Sequence, residues 1–89
     1  MKEINCIIEG RVQGVFFRDF TRRKARKLNL FGFVRNTEDG RVKVIAQGGE
    51  ESLEKLIEYL KEGSVASKVE NVVVKWQEPT ERYNKFEIK

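Results

Sequence analysis

The chain contains no histidine, one cysteine and one proline, and it has no long apolar run. A single cysteine excludes an internal disulfide, and without histidine a zinc site built from Cys and His ligands is not expected. No apolar stretch approaches the ~20 residues that a membrane span needs, and Met1 leads directly into a strand pattern without a signal-peptide core. We therefore expect a cytoplasmic protein with no membrane partner, no metal and no cofactor.

Positive charge is concentrated in one part of the sequence. The 89 residues suffice for a single domain, 1–89, with a modest core, and they carry a net charge of +4. Residues 11–27 contain seven Arg or Lys and only Asp19 as an acid. Such a segment can attract an anion, which would be a phosphorylated metabolite or nucleic acid. Alternatively, it is the solvated face of a helix. The solvated face is favoured for four residues: Arg22, Arg23, Arg26 and Lys27.

Apolar periodicity predicts the order of helices and strands. Strands are expected over 3–9, 31–35, 42–46, 72–76 and 86–88, and helices over 18–29 and from Glu50 to a cap at Gly63. The order β-α-β-β-α-β plus a short last strand predicts an α+β fold, a ferredoxin-like α/β sandwich with two helices on one face of an antiparallel sheet. Most aliphatic and aromatic side chains, Trp76 among them, are then expected to pack in the core.

The segment Gly10–Arg18 is the most informative stretch of the chain. It leads from the first strand through a loop with two glycines, Gly10 and Gly14, to a helix start at Arg18. Loop N–H groups can converge on an anion there, helped by the helix dipole, and an arginine fork matches two phosphoryl oxygens. The alternative is an ordinary βα connection in which the glycines only permit the turn.

Two segments together resemble the signatures of the acylphosphatase family. Gly10-Arg-Val-Gln-Gly-Val-Phe-Phe-Arg18 resembles its phosphate loop, and Gly32-Phe-Val-Arg-Asn36, followed by Gly40, Val42 and Gly48, resembles its second signature. The similarity continues through Thr21, Ala25 and Leu28, and through Ala66 and Val69. It departs at Asn29, where a glycine is usual, and at residues 63–65, which lack the usual prolines.

The resemblance implies hydrolysis of the carboxyl–phosphate anhydride of small acyl phosphates to a carboxylate and inorganic phosphate. Arg18 would hold the phosphoryl group, and Asn36 would orient the attacking water. The loop that supplies further backbone N–H donors comprises Arg11, Val12, Gln13, Gly14, Val15, Phe16 and Phe17. Small acyl phosphates and inorganic phosphate are the expected ligands of a protein that we expect to be a monomer.

Elementary chemistry agrees with a site that has neither histidine nor metal. A carboxylate is a good leaving group that no general acid has to protonate, and the phosphoryl oxygens can accept a proton from the water, so positioning and charge stabilisation suffice. The amide of Asn36 can both accept a hydrogen bond from water and donate one. Asn36 could equally begin the turn that leads to Gly40.

Other functions have weaker support. RNA-recognition domains share the strand order, and Phe31-Gly32-Phe33-Val34 superficially resembles their aromatic motif, but the first strand offers no ring on which a base could stack. A nucleic-acid partner is therefore not expected. The fold could also serve as a regulatory domain or as a piece of a larger carbamoyl-handling protein. Cys6 has no arginine at phosphatase-loop spacing and is interpreted as a buried thiol.

Overall fold

Five strands form one sheet, and two helices cover one of its faces, in a computed structural model that describes residues 1–89. The elements are β1 (Lys2–Arg11), α1 (Phe17–Lys27), β2 (Phe31–Asn36), β3 (Val42–Gly48), α2 (Glu50–Glu62), β4 (Lys68–Gln77) and β5 (Phe86–Ile88). The strand order is β4-β1-β3-β2-β5. Strands β1 to β4 pair antiparallel, whereas the short β5 runs parallel to β2. The predicted ferredoxin-like fold is confirmed, with a sheet that is mixed at the β5 edge.

The core lies between the sheet and the helices. Alternation along β1 turns Ile4, Cys6 and Ile8 to this side, and all three are fully buried. Helical spacing brings one face of each helix onto them, through Phe17, Thr21 and Ala25 and through Leu53, Leu56 and Leu60. Each buried aliphatic side chain stabilises the fold by about 1.5–3 kcal/mol. This packing fixes the end of β1 and the start of α1, between which the glycine loop lies.

Helix α1 ends with an asparagine in place of a glycine. Asn29 has φ 58°, in the left-handed region. Its N–H donates to the Arg26 carbonyl at 3.1 Å, and the Leu30 N–H donates to the Ala25 carbonyl at 2.9 Å. These two bonds form the C-terminal capping pattern that glycine usually completes. The departure at Asn29 therefore does not prevent the helix from terminating normally.

Trp76 does not pack fully into the core as predicted. It lies opposite Ile4, on the side of the sheet that faces the helices, but 41% of its surface is exposed. Its strand, β4, is at the edge of the sheet and has a neighbouring strand on one side only. The alternation in the sequence identified the correct face, but it does not reveal an edge position.

Candidate active site

The loop between β1 and α1 leaves the sheet at a bulge. The pairing of β1 with β4 shifts between Glu9 and Gly10. Gly10 has φ 127°, and a Cβ placed on it would lie 2.2 Å from the Lys68 carbonyl oxygen, so only glycine fits this approach of the two strands. Arg11, predicted as part of the loop, is the last residue of β1, opposite Lys68. The loop proper therefore starts at Val12.

The backbone of the loop turns twice into the left-handed region. Gly14 has φ 73°, and Phe16, immediately before α1, has φ 61°. For a residue with a Cβ this conformation costs about 1–2 kcal/mol. Left-handed residues interspersed with right-handed ones turn successive N–H groups toward one side and form an anion-binding concavity.

The N–H groups of this loop have no acceptor within the protein. None of the five from Val12 to Phe16 donates to a backbone carbonyl or to a side chain. They lead into the 11-residue α1, whose first N–H groups also lack helical partners. A run of free donors at a helix N-terminus is suited to bind phosphate.

Arg18 lies in the first turn of α1 and lines a cleft of about 270 Å³. The other lining residues are Val12, Gly14, Phe16, Phe17, Asp19 and Ile88. Arg18 is half-buried and makes no hydrogen bond or ion pair with another side chain. The adjacent Asp19 is engaged by Arg22 and by Arg23 Nε at 3.0 Å. The hydrogen bond from Arg22, aided by Arg23, holds the pKa of Asp19 below its usual value, so its negative charge is offset without Arg18.

Gln13 ties the loop to the turn between β2 and β3. Its Nε2 donates to the Thr37 carbonyl at 2.9 Å and to the Arg41 carbonyl at 2.8 Å. The sequence pointed to Gln13 only as a source of a backbone N–H. Its side chain instead holds the loop next to the residue that follows Asn36.

Asn36 is the last residue of β2, opposite Val42. The side chain is not among those that line the Arg18 cleft. Its Oδ1 is buried and has no hydrogen-bond partner. Buried polar atoms are almost always paired, and an orphaned acceptor is typical of an atom that a ligand or a reacting water engages.

The C-terminal strand closes the cleft on the β2 side. Ile88 lies beside Val34, and the Lys89 N–H donates to the Val34 carbonyl at 2.9 Å. Arg26 Nε donates to the Phe86 carbonyl at 3.1 Å and so connects α1 to β5. No sequence motif indicated that Ile88 would reach the phosphate loop.

Comparison with known proteins assigns this chain to a family. The family model for acylphosphatase matches residues 4–88. An acylphosphatase from Salinibacter ruber is 44% identical over 88 residues, covering 99% of this chain and 93% of its own length. The chain belongs to the acylphosphatase family. The crystal structure of acylphosphatase from Bacillus subtilis superimposes with a TM-score of 0.97 at 40% identity, covering 100% of this chain and 99% of that chain.

These relatives confirm the expected hydrolase activity, and they do not favour an RNA-binding module. The acylphosphatase fold also occurs within a larger protein, HypF of T. kodakarensis, with a TM-score of 0.88 at 32% identity. That match covers 100% of this chain but 12% of HypF. No helix of the acylphosphatase is both long and apolar enough to cross a membrane.

Proposed function

We propose that this acylphosphatase binds the phosphoryl group of a small acyl phosphate between the loop N–H groups and the guanidinium of Arg18, and that Asn36 orients the attacking water. The observation that carries the proposal is the run of five unpartnered N–H groups, Val12 to Phe16, beside an arginine without an ion pair. Free donors and an unneutralised cation at a helix N-terminus are complementary to a phosphoryl group.

The reaction requires no acid or base from the protein. The water oxygen bonds to phosphorus, the bond between phosphorus and the carboxyl oxygen breaks, and the carboxylate leaves with the electron pair. The proton of the water passes to a phosphoryl oxygen, which gives inorganic phosphate. Arg18 and the loop amides stabilise the charge on the phosphoryl oxygens in the transition state, while Asn36 Oδ1 accepts a hydrogen bond from the water and fixes its direction of approach.

A single chain supplies every part of this site, so a monomer suffices for the chemistry. Residues 1–89 would then act as one acylphosphatase domain. The monomeric state, the cytoplasmic location and the lack of a nucleic-acid partner stay predictions.

Arg18→Lys tests the assignment of the phosphate ligand. Hydrolysis of acetyl phosphate and benzoyl phosphate is measured in EDTA, with circular dichroism to verify the fold. An ammonium cannot reproduce the planar fork, so kcat/KM should fall by about 10²- to 10³-fold for both substrates. Arg82→Lys is the matched control, since Arg82 is exposed and makes no ion pair. Near wild-type turnover in folded Arg18→Lys would refute the assignment, and loss of wild-type activity in EDTA would point to a metal.

A further inference from the structure

A second depression adjoins the cleft that Arg18 lines, which is called the phosphate cleft below. This groove lies between the phosphate loop and residues 63–67, which connect α2 to β4, and its volume is about 310 Å³. It is lined by Val15, Phe16, Asp19, Arg23, Ser64, Val65 and Ala66. Its size is close to the lower end of the range for small-molecule sites, about 300–1,000 Å³.

The groove exposes apolar surface that the fold does not require. The Phe16 side chain is 82% exposed, although its backbone is held in the left-handed region, and Val65 is fully exposed. They are two of only five large hydrophobic residues that the whole chain exposes. Exposed apolar side chains that converge on one depression are typical of a binding site.

The groove adjoins the phosphate cleft and shares two lining residues with it. Phe16 and Asp19 line both depressions, so the Phe16 ring lies between the cleft and the groove. Ser64 Oγ donates to the Val15 carbonyl at 3.1 Å and holds the two walls of the groove together. The carboxylate of Asp19 is paired with Arg22 and Arg23, so it presents little net charge to an apolar group.

We propose that this groove binds the acyl group of the substrate, and that Phe16 and Val65 determine specificity for it. The inference rests on the proposed function, which places the phosphoryl group against the loop. The acyl group is then bonded to a phosphoryl oxygen at the mouth of the cleft and extends across Phe16 toward Val65. The enzyme should prefer acyl phosphates with a flat or branched apolar acyl group over those with a methyl or an amino group.

A second candidate site for the acyl group is a polar depression, but it does not adjoin the phosphate cleft. A depression of about 470 Å³ lies near the β2–β3 turn and is lined by Ile7, Arg35, Thr37, Glu38, Asp39 and Arg41. It shares no residue with the phosphate cleft, whereas the apolar groove shares two. An acyl group bound there would be polar or charged, which is the opposite preference.

Val65→Ser tests the proposal, because Val65 is exposed and lies outside the phosphate loop. We expect kcat/KM for benzoyl phosphate to fall about three- to tenfold, in line with losing a small apolar contact, while kcat/KM for acetyl phosphate changes less than about twofold. Val65→Phe should raise kcat/KM for benzoyl phosphate relative to kcat/KM for acetyl phosphate. Val73→Ser is the matched control, since Val73 is also exposed but lies on β4, outside the groove, and it should alter neither substrate.

The outcomes separate this inference from the proposed function. If the wild type hydrolyses both substrates and Val65→Ser leaves their ratio unchanged, the acyl group does not bind in the groove, although the proposed function stands. Equal losses for both substrates would likewise overturn the proposal, because Val65 would then act through the loop. If the wild type hydrolyses neither substrate, the proposed function and this inference both fail.

Discussion

Asn36 carries a buried acceptor that no other group of the protein satisfies. Its buried Oδ1 has no hydrogen-bond partner, and an unsatisfied buried polar atom costs about 1–3 kcal/mol. A residue that served only the turn before Gly40 would be better replaced by one that leaves no orphaned acceptor. The cost is explained if the acceptor is kept for the attacking water.

Asn36→Ala should separate chemistry from binding. Without the acceptor, the water is no longer directed at phosphorus, so kcat should fall about 10- to 100-fold. The affinity for inorganic phosphate, measured as a competitive inhibition constant, should stay within about threefold because Arg18 and the loop still hold the anion. The free energy of unfolding should not decrease. Asn84→Ala, at an exposed asparagine, is the control and should change none of these quantities.

If phosphate affinity and kcat fall together in Asn36→Ala, Asn36 is a phosphate ligand or a turn residue instead.

Single residues differ in how far a sequence can predict them. Arg18 and Asn36 could be proposed as site residues from the sequence because each occurs in a short motif. The side chain of Gln13 was not, since its acceptors lie 24 and 28 positions away and meet it only through the tertiary fold.

The end of α1 shows how an element tolerates an unfavourable residue. Asn29 adopts the left-handed conformation that glycine reaches without a steric penalty. Asparagine accepts this conformation better than most residues, but still at some cost. The two capping hydrogen bonds of Asn29 and Leu30 involve backbone atoms only, so a glycine could make both.

Asn29→Gly should therefore stabilise the protein by about 0.5–1 kcal/mol. Asn29→Ala should destabilise it by about 1 kcal/mol, because alanine is strained at positive φ. Urea unfolding followed by circular dichroism measures both, and activity should be unchanged because neither variant alters the cleft. If the Asn29→Ala and Asn29→Gly variants are equally stable, the left-handed conformation of residue 29 does not limit the stability of the protein.

Periodicity predicted the elements well because each helix or strand buries one regular face. The apolar spacings of α1 and α2 place their boundaries within two residues of the observed ends. Strand order and direction have no such local signal. The exposure of Trp76 follows from the position of β4 at the sheet edge, and the parallel pairing of β5 follows from how the chain returns after β4.

At the scale of the whole molecule, the burial of Cys6 makes the stability of the fold depend on pH. It is fully buried on β1, and burial raises the pKa of its thiol from near 9 to about 12. Folding therefore favours the protonated thiol. The resulting stabilisation is complete below pH 9, the pKa of the unfolded thiol, and is lost as the pH rises toward 12.

Cys6→Ala isolates this effect, because all other titrating groups are common to both proteins. The variant should be less stable at pH 8, since it leaves a small cavity. Between pH 9 and pH 12 the wild type should lose its advantage at up to about 1.4 kcal/mol per pH unit. Urea unfolding of both proteins at pH 8 and pH 10 measures the difference. If the difference in unfolding free energy between the two proteins is the same at pH 8 and pH 10, burial does not raise the pKa of the thiol.

The hydrogen bond from the Lys89 N–H to the Val34 carbonyl holds the end of β5 against β2, and Ile88 of β5 lines the cleft. The first residues lie at the opposite end of β1, whose 10 residues separate them from the phosphate loop by about 30 Å. The two termini are thus unequal as attachment points. We expect an affinity tag joined before Met1 to leave kcat/KM unchanged, whereas one joined after Lys89 adjoins the strand that supplies Ile88 to the cleft and should lower it.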